Sequence, residues 1–85
     1  MRFSQAFQQA LTEFTADGTA PAQINNGECD LFVDRVMELC PEAGWGETDF
    51  ETEPGHVYLT HEGRCYDAEC PEGVTDYRDL PAIRR

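Results

Sequence analysis

The residues from His56 to Ala68 constrain the fold more than any other part of the chain. His56-Val57-Tyr58-Leu59-Thr60 is rich in β-branched and aromatic residues, His61-Glu62-Gly63 is a turn, and Arg64-Cys65-Tyr66-Asp67-Ala68 is a second strand. Gly63 suits the left-handed position that a tight hairpin requires. A lone hairpin is marginal in water, so other elements must cover one of its faces. Two helical patterns upstream can do so. Phe3, Phe7, Leu11 and Phe14 recur at steps of four, four and three, one face of an amphipathic helix. Asp17-Gly18 ends it, with Gly18 suited to the residue just past a helix C-terminus. Thr19 to Ile24 reads as a loop. A second helix is predicted from an Asn26 N-cap to about Leu39, where Cys40-Pro41 stops it. Its buried stripe is Cys29, Phe32, Val33, Val36 and Cys40. The expected fold is α+β: two helices packed on a small antiparallel sheet built around the hairpin 56–68.

Elsewhere the signals are thinner. Pro41 to Gly55 has no sustained period, although Asp49-Phe50-Glu51-Thr52-Glu53 alternates and reads as a short edge strand. Thr75 to Leu80 reads as a capped helical turn stopped by Pro81. The 85 residues are expected to form one domain, 1–85, burying only ~60–65% of the surface of the unfolded chain. No stretch approaches the ~20 apolar residues of a membrane span. Met1-Arg2-Phe3-Ser4-Gln5 has no apolar run behind its basic residue, so no signal peptide is expected and a cytoplasmic location is. In that compartment the four cysteines are expected as reduced thiols rather than two disulfides.

Charge narrows the partners. Seventeen acids stand against six arginines and no lysine, a net charge of −11. Such a field repels DNA, RNA and anionic membranes, and attracts a protein partner with a basic surface. The acids Glu42, Glu47, Asp49, Glu51 and Glu53 surround Trp45, and Trp is enriched at binding hot spots, so these six form a candidate binding surface. Cys65 and Cys70 lack the paired two-residue spacing of structural zinc, and the acidic stretch does not set a glycine and a terminal glutamate at the offsets of a calcium loop. Phosphate-loop and dinucleotide patterns are absent, so neither a metal nor a cofactor is expected.

One constellation carries chemistry. Cys29 falls in the first turn of the predicted second helix, where orphan N–H groups and the helix dipole favour a thiolate. His56 opens one strand of the hairpin and Asp67 lies in the other. A histidine can take the thiol proton, and an aspartate on its other nitrogen fixes the tautomer. Turn register decides whether they meet. A two-residue turn at Glu62-Gly63 sets Tyr58 opposite Asp67 and leaves His56 one diagonal step away, ~7–8 Å between backbones. A three-residue turn sends His56 to the opposite face.

Gly27-Glu28-Cys29-Asp30-Leu31-Phe32, His56-Val57-Tyr58-Leu59 and Gly63-Arg64-Cys65-Tyr66-Asp67-Ala68 together resemble the papain-like and transglutaminase-like thiol enzymes. The segment from Tyr66 to Val74 is also similar to small uncharacterised proteins of bacteria and their phages. The likeness covers roughly residues 25–80, and order and spacing carry it. It implies a truncated papain/transglutaminase-like core with Cys29 as nucleophile, His56 as general base and Asp67 as its orienter. It also implies a polar oxyanion donor upstream of the cysteine, where Gln23 and Asn25 stand.

These features support two functions of different classes. The first is a small thiol hydrolase or transferase acting on an amide, thioester or peptide link. The second is a non-enzymatic acidic inhibitor, of the kind phages and other mobile elements carry. It would occupy a basic nucleic-acid-binding surface of a host defence or transcription protein by mimicry, as anti-CRISPR and anti-restriction proteins do. The second rests on the charge and on acidic runs at Glu42 to Glu53 and Asp67 to Asp79.

Overall fold

A computed structural model describes residues 1–84. Helix α1 spans Phe3–Thr15, and its deepest residues are Ala6, Phe7 and Ala10, with Phe3, Leu11 and Phe14 packed on either side. The chain leaves it through Gly18 at φ 93°, a conformation that costs glycine nothing. The stretch expected as a loop instead holds a short helix, α2, Pro21–Asn25. Pro21 opens it with a preset φ, and the Gln23 side chain accepts the Ala20 N–H at 2.7 Å. This moves the next boundary. Asn26 closes α2 rather than capping a second long helix, and helix α3, Cys29–Leu39, has Glu28 at its N-cap. Cys29 is therefore its first residue, not its third. The expected stripe holds: Phe32, Val33, Val36 and Cys40 are buried and Cys29 is half-buried. All four cysteines are free thiols.

The sheet is antiparallel with four strands in sequence order. They are β1 (Gly44–Glu47), β2 (Val57–His61), β3 (Arg64–Asp67) and β4 (Cys70–Val74). Between β2 and β3, Leu59 pairs with Tyr66 and His61 with Arg64, so the turn has two residues. Glu62 and Gly63 both have positive φ, 49° and 77°. This is the hairpin turn whose twist matches that of the strands.

Two strands differ from expectation. Residues 49–53 form a turn rather than an edge strand, because Asp49 O accepts the Thr52 and Glu53 N–H groups and Asp49 Oδ1 that of Glu51. The edge strand is β1 instead. Its Gly44 and Gly46 leave the space into which the Thr60 and Tyr58 side chains fit, opposite them on β2. Strand β4 had no signal because Pro71, Glu72 and Gly73 are poor strand formers. Gly73 sits at φ 75° under the Tyr66 ring.

Two clusters make the core. Val57, Leu59 and Ala68 meet Phe7, Ile24, Phe32, Val33 and Val36 on the helix side. There Phe32 takes Phe7 and Phe14 edge-on at 5.4 and 5.6 Å between centroids, contacts that add to the ~1.5–3 kcal/mol of burying each ring. Tyr58, Cys70 and Leu80 form the second cluster. It includes a 3-10 turn at Tyr77–Asp79 and a final helix, α4, Pro81–Arg84. Tyr77 stacks on Tyr58 at 5.4 Å. Asp76 caps the turn by accepting the Arg78 N–H, as its sequence suggests. Pro81 ends the turn and also opens α4. No helix among the described residues is long and apolar enough to cross a membrane.

Candidate active site

His56 stands one residue before β2, at the end of the sheet. Its backbone is held by a clasp: Thr48 N–H donates to His56 O at 3.0 Å, and His56 N–H donates to Thr48 Oγ1 at 3.0 Å. The same hydroxyl donates to Pro54 O at 2.8 Å, so Thr48, itself buried, ties both ends of the 49–55 loop to the histidine. The two-residue turn sets the β2–β3 register, and continuing it places Tyr58 opposite Asp67 and His56 a diagonal step beyond.

That diagonal is bridged. His56 Nε2 lies 3.1 Å from Asp67 Oδ2, with only 3% and 1% of the two side chains exposed. A carboxylate can only accept, so Nε2 is the donor in this bond. Asp67 is anchored in turn, because its Oδ1 accepts the Glu69 N–H at 2.9 Å. The Glu69 carboxylate accepts the buried Asn25 amide at 2.9 Å, which joins the Asp67 turn to the segment just ahead of α3.

Cys29 and His56 line one cavity of about 420 Å³, together with Asp30, Trp45, Glu47, Phe50, Gly55 and Val57. Cys29 reaches it from the first turn of α3 and packs against the helix-side core. Asp67 pairs with Cys70, a member of the second cluster. His56 joins the two sides, bonded to Asp67 and lining the cavity with Cys29. No hydrogen bond among the described residues links the Cys29 sulfur to the imidazole, and Nδ1 has no partner. Every fully buried side-chain nitrogen and oxygen among those residues does have one. Nδ1 is therefore not fully enclosed, and His56 is among the residues that line the cavity.

The upstream polar residues are occupied with structure. Asn25 donates to Glu69, and the Gln23 carbonyl caps α2. Backbone groups offer the better oxyanion donors. Phe32 is the first residue of α3 whose N–H bonds back, to Glu28 O at 2.9 Å. No side chain caps the helix. The N–H groups of Cys29 and Asp30 remain free there, as helix starts leave them.

The acidic surface divides. Trp45 donates its indole N–H to Glu47 Oε1 at 2.6 Å, and both face the cavity. Asp49 is spent on its own turn, while Glu53 accepts the Tyr77 hydroxyl at 2.7 Å and pins the loop to the second cluster. Glu42 and Glu51 are exposed on either side. Phe50, expected only as part of an edge strand and not of the binding surface, is 62% exposed and forms part of the cavity wall. Thr48 was also missed, since a lone threonine carries no pattern. Of the remaining thiols, Cys70 is pushed up to about 11 by burial and by its contact with Glu72. It is a core residue, not a nucleophile.

Comparison of the chain with protein-family models, with curated proteins and with solved structures found no match.

Proposed function

We propose that the protein is a small thiol hydrolase or acyltransferase of papain-like or transglutaminase-like character, with Cys29 as nucleophile, His56 as general base and Asp67 as orienter. One observation carries this reading: His56 is bonded through Nε2 to a buried carboxylate, its other ring nitrogen has no partner, and the residue lines the same cavity as a helix-start cysteine. Asp67 holds the tautomer that leaves Nδ1 basic. In the reaction the Cys29 proton passes to Nδ1, and the sulfur attacks the acyl carbon to give a tetrahedral oxyanion facing the Cys29 and Asp30 N–H groups. Collapse breaks the bond to the amine or thiol leaving group, which takes the proton from the imidazolium. Water or an acceptor amine, deprotonated by Nδ1, then releases the acyl group from sulfur. This transfer requires a sulfur–imidazole contact to form with substrate bound, as catalytic hydrogen bonds often do.

Alkylation by iodoacetamide tests it. Cys65 is also a half-buried free thiol and serves as an internal reference. Burial and the charge of Asp76 raise its pKa, so the response of Cys29 to His56→Ala decides the test. At neutral pH Cys29 should label in preference to Cys65, and His56→Ala should slow Cys29 by at least about tenfold. Equal labelling of the two cysteines, unchanged in His56→Ala, would end the enzymatic reading.

A second reading has its own observation. Trp45 and Phe50 are exposed by 39% and 62% within the acidic segment from Glu42 to Glu53, the pairing of aromatic anchor and charge that a basic protein partner recognises. In that reading the protein is an acidic inhibitor of mobile-element type that covers a nucleic-acid-binding surface. Its binding to a basic protein should survive Cys29→Ala and weaken steeply with salt. Salt-independent binding excludes it.

A further inference from the structure

The cavity beside Cys29 has a one-sided chemistry. Its walls hold two carboxylates, Asp30 and Glu47, and two aromatic rings, Trp45 and Phe50, with no arginine among the lining residues. Several of the chain's arginines are engaged elsewhere: Arg35 with Glu13 and Glu38, Arg64 with Gly73 O, Arg78 with Asp76 and Arg84 with Asp79. Asp30 has no hydrogen bond or ion pair among the described residues. Glu47 has one neutral donor, the indole N–H that holds it beside the Trp45 ring. An independent feature marks this as a site rather than an acidic surface. His56, with 3% of its side chain exposed, lines the cavity and has one ring nitrogen without a partner.

We infer that the cavity takes the arginine or lysine side chain of a basic peptide substrate, held between the Trp45 ring and the Asp30 and Glu47 carboxylates next to the acyl carbon that Cys29 attacks. The volume, about 420 Å³, lies within the range of small-ligand pockets. A guanidinium or ammonium gains from the ring face and from both carboxylates, and the negative walls concentrate cations before contact. An anionic substrate is turned away by the same field. The choice of substrate class rests on the thiol-enzyme reading, but the preference for a cation does not require turnover.

Methanethiosulfonate reagents separate the two. 2-Aminoethyl methanethiosulfonate carries the ammonium of a lysine, and its 2-sulfonatoethyl counterpart carries a negative charge. Each forms a disulfide with the attacked sulfur and expels methanesulfinate. Rates at Cys29 are read by peptide mass spectrometry at low ionic strength, and their ratio is divided by that for N-acetylcysteine amide. The normalised preference for the cation should be about tenfold or more. It should collapse in the double variant Asp30→Asn with Glu47→Gln. It should persist in Asp34→Asn with Glu38→Gln, which removes equal charge from the exposed face of α3. A normalised ratio near one, or equal losses in both double variants, overturns the inference. The absolute rate in His56→Ala reports on thiol activation separately, so either reading can fail while the other stands.

Discussion

His56 Nε2 and Asp67 Oδ2 meet at 3.1 Å across the two arms of one hairpin, and almost nothing of either side chain reaches solvent. Removing the carboxylate strands the imidazole and also frees the Glu69 N–H that Asp67 Oδ1 accepts. Asp67→Ala should therefore destabilise the fold by about 3 kcal/mol, read from the urea midpoint. Asp67→Asn keeps an acceptor and the shape, so it should cost less in stability while still slowing Cys29 alkylation. Equal stability of Asp67→Ala and the native protein refutes this account of the pair.

The Thr48 hydroxyl accepts from the His56 backbone and donates to Pro54 O. Thr48→Val preserves volume and loses both bonds, at a cost of about 1–3 kcal/mol. Thr48→Ser should retain most of the stability. Amide hydrogen exchange should show faster opening of residues 49–56 in the valine variant, and unchanged protection there contradicts a clasp.

Three glycines should rank by what a methyl group meets. At Gly73 it runs into the Tyr66 ring at a positive φ, at Gly46 it runs into the Tyr58 ring, and at Gly27 it meets nothing. Gly46→Ala should cost about 1–3 kcal/mol through overpacking, since Tyr58 is held by Tyr77. Gly73→Ala should cost more, by a further ~1 kcal/mol of backbone strain. Gly27→Ala should be near neutral. Thermal midpoints in any other order count against the packing described.

Cys70 gives the fold an alkaline limit. Its folded-state value is raised from 9.0 to about 11, chiefly by burial. Below pH 9 both folded and unfolded chains hold the proton, and the contribution is fully present. As pH rises from about 9 to about 11 the unfolded chain loses the proton first, and up to about 2–3 kcal/mol is lost. Cys70→Ala should flatten the fall in stability over that window while lowering stability at neutral pH. A native protein equally stable at both ends of the window excludes the linkage.

Much of the frame was legible because it rests on local periodicity. The steps Phe3-Phe7-Leu11-Phe14, the stripe from Phe32 to Cys40 and the hairpin around Gly63 each repeat at the spacing of their element. Where it failed, the deciding partner lay far away in sequence. Residues 44–47 form a strand because Thr60 and Tyr58 fill the space left by two glycines. Residues 70–74 form one because β3 offers a free edge, against the propensity of Pro71 and Gly73. The start of α3 shifted because Pro21 and Gln23 made a helix of the preceding loop.

The sequence by itself determined which residues are available: a cysteine where a helix begins, a histidine and an aspartate on two arms of one hairpin, and a strongly acidic chain. Hairpin chemistry left two registers open, and a single-residue slip between them sends every side chain to the other face. Only the tertiary structure chose. Glu62 accepts a positive φ beside Gly63, which sets the two-residue turn, and burial of the strands on both faces locks it. That choice brings His56 to Asp67. The packing of α3 against β2 then brings Cys29 to the cavity His56 lines, a placement no local pattern encodes.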